Sequence, residues 1–89
     1  MADSPLSGIG EITTSATPNT WVDLPAIPCR RVAIYNLSGN QILIRQDSGG
    51  VSLPLNNGNA YPFAGITSVG QFAISCSVAS QVIQYRWEL

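Results

Sequence analysis

The chain has 89 residues, four basic and five acidic, with a formal net charge of −1 and 45% hydrophobic content. One domain fits that length, and the hydrophobic content excludes a chain kept disordered by low hydrophobicity and high charge. The sequence contains neither histidine nor lysine, which removes imidazole-based triads, Schiff-base lysines and histidine-ligated zinc from consideration.

Surface scaling for this mass predicts about 5,000 Å² exposed when folded against about 13,800 Å² unfolded, a thin core that partner subunits would support. The four arginines include one adjacent pair, Arg30-Arg31, which is not the basic patch that phosphate recognition requires. Met1-Ala2-Asp3-Ser4-Pro5 lacks a basic segment followed by an apolar run, so no signal peptide is expected. Nor does any stretch approach the roughly 18 apolar residues of a membrane span. The expectation is a soluble protein made in the cytosol, with no nucleic-acid or membrane partner.

In chain order, residues 1–8 are small and polar, contain one Pro and one Gly, and read as a flexible N-terminal arm. Residues 9–89 read as one β domain. Short apolar segments at 9–14, 20–24, 31–36, 41–46, 51–53, 60–63, 71–76 and 81–88 recur with turn residues between them. That spacing predicts an all-β fold, a small antiparallel β-sandwich or jelly roll of about seven or eight strands. Turn chemistry lies at Pro18-Asn19, Leu37-Ser38-Gly39-Asn40, Asp47-Ser48-Gly49-Gly50 and Asn56-Asn57-Gly58-Asn59. No window carries a helical stripe with helix-forming composition.

Period-two alternation assigns faces. Val32, Ile34 and Asn36 share one side of their strand, Ile42 and Ile44 one side of the next, and Phe72, Ile74 and Cys76 one side of a third. The link at residues 37–40 is short and holds a glycine, which predicts an antiparallel hairpin between segments 31–36 and 41–46. Both faces of that hairpin are partly apolar, so it is expected to be central, its outer face covered by a loop or a neighbouring subunit. The last segment places Ile83, Tyr85, Trp87 and Leu89 on one face, and removing its final four residues is expected to unfold the chain. A V-x-L-P pattern occurs at Val22-Asp23-Leu24-Pro25 and Val51-Ser52-Leu53-Pro54. Its prolines mark strand ends or sheet edges.

The chemistry-bearing residues are few. Asp3, Glu11, Asp23, Asp47 and Glu88 have no local spacing that would pair two carboxylates across a glycosidic bond, and read as solvated turn and edge residues. Asp47-Ser48-Gly49-Gly50 lacks the further acidic ligands of a calcium loop and reads as a hairpin turn. Cys29 and Cys76 have no metal-type spacing and no histidine to activate them. They read as two buried structural thiols, with a disulfide between them as the alternative. The expectation is no catalytic residue, no cofactor, no metal and no enzymatic activity.

Seven aromatic residues serve one small core. Trp87, Tyr85 and Phe72 fit core or half-core positions, whereas Tyr61-Pro62-Phe63 follows an Asn-rich loop and fits an exposed rim. Rings there would anchor a protein interface or stack on a sugar. Ser, Thr, Asn and Gln total 26 residues, so the surface is neutral rather than charged. Strand edges without lysine are poorly defended against pairing. A homo-oligomer or a component of a larger assembly is therefore expected.

The order Trp21-Val22-Asp23-Leu24-Pro25, Cys29-Arg30-Arg31-Val32, Ile34-Tyr35-Asn36-Leu37-Ser38-Gly39 and Ile42-Leu43-Ile44-Arg45 resembles small virion proteins of tailed bacteriophages. Gly65-Ile66-Thr67 and Gln84-Tyr85-Arg86-Trp87-Glu88 extend the resemblance from Ile12 to the C-terminus. It implies a β-sandwich or jelly-roll subunit, commonly trimeric, that decorates or cements the phage head by bridging major capsid proteins. The implied place is the virion, after synthesis in the host cytoplasm. Decoration proteins often dock through an N-terminal arm, which makes Asp3, Ser4, Pro5 and Leu6 candidate interface residues beside Tyr61 and Phe63. The alternative is a carbohydrate- or receptor-binding module of a tail or head fibre, with Trp21, Tyr61 or Phe63 as stacking platform.

Overall fold

Segments that alternate apolar and polar residues bury one face when extended, and in this chain they close on each other as two facing sheets. The structure is a computed structural model that describes residues 6–47 and 51–89. Its strands are β1 (Ser7–Thr13), β2 (Val22–Asp23), β3 (Arg31–Tyr35), β4 (Ile42–Gln46), β5 (Leu53–Leu55), β6 (Ala60–Ala64), β7 (Phe72–Cys76) and β8 (Val82–Glu88). One sheet has the order β1-β8-β3-β6 and the other β2-β7-β4-β5, all neighbours antiparallel. All eight expected strand segments are present, with shifted ends.

The core lies between the sheets. Val32 and Ile34 of β3, Ile42 and Ile44 of β4, Phe72, Ile74 and Cys76 of β7, and Ile83 and Tyr85 of β8 are buried there. These are the faces the alternation assigned. Each large apolar side chain fully buried in this way contributes about 1.5–3 kcal/mol. The folded chain exposes 5235 Å², close to the value expected from its mass. Cys29 and Cys76 are both free and buried, so they are two structural thiols and not a disulfide.

The expected hairpin between β3 and β4 does not form. The two strands are central, but in different sheets, β3 between β8 and β6, and β4 between β7 and β5. Residues 37–40 instead carry the chain across the core, and Asn36 makes the crossing possible. Its side chain is fully buried. Nδ2 donates to the carbonyls of Leu55 (2.8 Å) and Asn40 (2.6 Å), while Oδ1 accepts from the backbone N–H (3.1 Å) and hydroxyl (2.7 Å) of Ser38. A buried amide satisfied on both ends costs little to bury and fixes the path of the turn.

The sheet also begins earlier than expected. β1 starts at Ser7, and the Leu89 N–H donates to the Leu6 carbonyl (2.8 Å), so Leu6, Ser7 and Gly8 belong to the paired structure and not to a free arm. Asp3, Ser4 and Pro5 lie outside the described residues. The start was hidden at Gly8, which reads as the end of a loop, while Gly10 already lies within the expected segment 9–14. Gly8 and Gly10 lie under the rings of Trp87 and Tyr85, and a Cβ on Gly8 would stand 2.8 Å from the Trp87 indole. Glycine is required there so that the aromatic side chains of β8 can lie across β1.

Before β7 the chain makes one 3-10 turn, Val69–Gln71, in a chain otherwise free of helix among the described residues. Ser68 caps it through the Gly70 N–H (3.1 Å), and the Gln71 side chain accepts from the Ser68 N–H (3.0 Å). Val69 is fully buried, which is what the turn achieves.

Candidate interaction surface

The registers define the outer face of the first sheet. One row runs Ile9, Arg86, Ala33, Pro62 across β1, β8, β3 and β6. The rows on either side are Ser7, Glu88, Arg31, Ala64 and Glu11, Gln84, Tyr35, Ala60. Small apolar residues Ala33, Pro62 and Ala64 floor a groove of about 430 Å³ beside Arg31, Arg86 and Glu88. Arg86 and Glu88 are paired at 2.7 Å, each side chain roughly half exposed. Such a surface pair contributes little energy. The face therefore combines small apolar residues with four charged ones, Glu11, Arg31, Arg86 and Glu88.

The second sheet's outer face is closed in part by its own side chains. The Arg45 guanidinium lies 4.4 Å from the centre of the Trp21 ring, a cation–π contact. Ala73 and Ser75, which alternate with the core residues of β7, are buried as well. Arg45 is the cross-strand partner of Ala73, so the Trp21–Arg45 pair stands on the side of the sheet where Ala73 points.

Tyr61 and Phe63 are on the inward side of β6, paired with Ile34 and Val32. Their ring centroids are 5.7 Å apart, and Phe63 contacts the core ring Phe72 at 4.5 Å. Phe63 is half-buried and Tyr61 is 37% exposed. Phe63 joins Ile44, Val51, Leu53 and Phe72 in lining a cleft of about 360 Å³, and Tyr61 stacks on Phe63 outside it. The structure thus brings Tyr61 and Phe63 together and leaves Trp21 on the opposite face of the other sheet. Leu6, 75% exposed, precedes β1 at the edge of the first sheet and is not part of the Tyr61–Phe63 pair.

The buried thiol and phenol are held neutral. Burial pushes the Cys29 thiol up, with a smaller opposing contribution from the Arg31 backbone hydrogen bond, and burial alone raises the Tyr85 phenol. Among the described residues no three of His, Cys, Asp and Glu come together as a metal-binding group. No described helix is long and apolar enough to cross a membrane.

The row of residues that sequence reasoning missed is the outer edge of β1. It could be found only once β1 was known to pair with β8, because spacing places a strand at 9–14 without saying that it lies at a sheet edge.

No protein-family model matches the chain, and no curated sequence matches it. Solved structures do. A cupin superfamily protein from Desulfitobacterium hafniense superposes with a TM-score of 0.65 at 12% identity, covering 100% of this chain and 72% of that one. A de novo designed double-stranded β-helix gives 0.59 at 16% identity, covering 92% and 99%. A structure from Bacillus endospore appendages, described as disulfide-linked pili, gives 0.50 at 16% identity, covering 93% and 85%. At these identities the likeness concerns architecture: the chain has the jelly-roll, double-stranded β-helix fold seen in cupins.

Proposed function

We propose that the protein is a non-enzymatic structural subunit that works by packing against neighbouring proteins. The observation that carries this reading is the outer face of the first sheet, where Ala33, Ala60, Pro62, Ala64, Tyr35 and an Ile9 that is 79% exposed lie between Glu11, Arg31 and the Arg86–Glu88 pair. Apolar area of this kind is what protein interfaces bury. The same fold class serves as a pilus subunit in Bacillus endospore appendages. The disulfide linkage named for those pili would not involve Cys29 and Cys76 here, since both are buried.

The setting we propose is the head of a tailed bacteriophage, where the protein decorates or cements the shell by bridging major capsid proteins, as a homo-oligomer. Support for that setting is the sequence resemblance; the structural neighbours bear on the fold. The testing experiment mixes the purified protein with empty heads of the encoding phage. Saturable, stoichiometric binding with a raised melting temperature of the heads is expected. No binding and no thermal shift would overturn the virion reading.

The stacked Tyr61–Phe63 pair favours the fibre-module alternative to a limited extent. Two of the loop asparagines beside it already hold neighbouring turns, Asn56 accepting from the Gln41 amide (2.8 Å) and Asn57 from the Gly39 N–H (2.9 Å). Glycan-array binding abolished by Tyr61→Ala would establish that alternative. A silent wild type would remove it.

A further inference from the structure

Each sheet has two edge strands, and three of the four edges are blunted. In β6, the β3 residues Val32 and Ile34 direct their amides to Phe63 and Tyr61, which leaves Pro62 facing outward. In β5, Leu53 and Leu55 bond to β4, which leaves Pro54 facing outward. Each proline stands where its missing N–H would have pointed into solvent. β2 is only two residues long, with Pro25 just beyond it. These are the ordinary guards against edge pairing.

β1 has neither a proline nor a shortened length, and Glu11 is its one outward charge. It is seven residues long, without proline or lysine, and pairs along its whole length with β8. The Thr14 N–H donates to the Gln81 carbonyl and the Leu6 carbonyl accepts from Leu89. Even-numbered residues therefore face β8, and Ser7, Ile9, Glu11 and Thr13 direct their N–H and C=O groups outward. The same four side chains are exposed. No described strand occupies that side.

We infer that the outer edge of β1 pairs with β1 of a second copy of this chain, antiparallel across a two-fold axis. One register uses the whole edge: Gly10 faces Gly10 at the axis, Ile9 faces Glu11, and Ser7 faces Thr13. All four outward residues then sit in hydrogen-bonded pairs, each exchanging two backbone bonds. Shifting by two toward the C-terminus would set Glu11 against Glu11, which like-charge repulsion disfavours. In the full-length register Glu11 instead joins the row of the other copy that already holds Ile9 and Arg86, with opposite charges on the same face. The two first sheets become one, and its new ends are the two Pro62-guarded β6 strands. Pairing therefore closes at two copies. This deepens the packing role proposed above while resting on a separate observation, the contrast among the edges.

Sedimentation velocity on the full chain over a concentration series tests it, with amide hydrogen exchange at matched concentrations. A monomer–dimer equilibrium is expected, with Ile9 and Glu11 amides protected in the dimer. Ile9→Pro removes an outward N–H and no intrachain bond, and should raise the dissociation constant at least about tenfold. Glu11→Arg, which places like charges in the shared row, should weaken pairing with the fold intact, and serves if the proline variant misfolds. A chain monomeric at every concentration, or a dimer whose Ile9 and Glu11 amides exchange freely, overturns the inference. Dimerisation indifferent to both variants overturns it equally. If a monomeric chain still binds phage heads, the packing role stands and only the β1 contact falls.

Discussion

The Tyr85 ring occupies the space that a side chain on Gly10 would need. The two residues are cross-strand partners in β1 and β8, and Tyr85 is buried against the core through this overlap. A methyl group at position 10 must push the ring or the strand aside. Gly10→Ala should therefore destabilise the fold by about 1–3 kcal/mol, as overpacking does. In urea titrations, Gly10→Ala combined with Tyr85→Leu should cost less than the two single changes added together. Strict additivity would show that ring and glycine do not depend on each other.

Asn36 carries the crossing between the sheets. Asn36→Ala removes the amide donor to the Leu55 and Asn40 carbonyls and the acceptor of the Ser38 N–H, while the Ser38 hydroxyl keeps its bond to the Asn40 carbonyl (3.1 Å). The expected loss is about 1–3 kcal/mol, the consequence of removing a fully buried amide and its bond to the buried Leu55 carbonyl. Thermal melting would show it as a fall well beyond that of the exposed control Gln46→Ala.

Stability should fall at alkaline pH. The raised Cys29 and Tyr85 values mean that the folded state holds these protons more tightly than the unfolded one. Their contribution is fully present below the ordinary values of 9.0 and 10.0 and is lost as pH rises past them toward the folded values. The sequence has no histidine, so no imidazole transition is superimposed near neutrality. Melting temperatures measured from pH 7 upward should decline beginning near the thiol range, and Cys29→Ala should remove the earlier part of that decline. A rise with pH over this interval would contradict the sign.

Removing residues 86–89 takes away Trp87 over Gly8, the Arg86 and Glu88 partners of β3, and the Leu89 N–H that holds Leu6. The shortened chain should lack a cooperative melt by circular dichroism. A folded, soluble product would show that β1 and β3 can hold the first sheet without the end of β8.

Attachment to a partner particle should respond weakly to salt, because the two acidic and two basic residues of the first sheet's outer face balance and its exposed ion pair contributes little. Release measured across an ionic-strength series should stay nearly flat. Steep release between low and moderate salt would point to an electrostatic contact in place of the apolar one.

Alternation made much of the fold legible. The rows Val32, Ile34, Asn36 and Phe72, Ile74, Cys76 are core-facing as their spacing implied. What spacing could not convey was which sheet each strand joins. A four-residue link reads the same whether it reverses a strand within one sheet or crosses to the other. The discriminating signal was Asn36 itself, a polar residue in a core-facing row just before a Ser-Gly-Asn turn. Pro54 concealed the second half of β5, because proline reads as a strand end unless its missing N–H is known to face solvent. The β1 surface stayed hidden for a related reason: spacing places a strand at 9–14 without saying that it lies at a sheet edge, and Gly8 takes its meaning from Trp87. The expected rim at Tyr61 and Phe63 instead lies on the inward side of β6, with Phe63 against the core ring Phe72, and the separation of Trp21 from them was not legible.

The pairing of β1 with β8 and of β2 with β7 has a consequence for how the molecule is made. As the chain leaves the ribosome, its two earliest strands have no partner until the two latest arrive. β8 is the only link between β1 and β3, and β7 the only link between β2 and β4. Before then only the β3–β6 and β4–β5 pairs can exist, and neither encloses a core. The two sheets must therefore close together once β7 and β8 are made, with β1 unpaired throughout the wait.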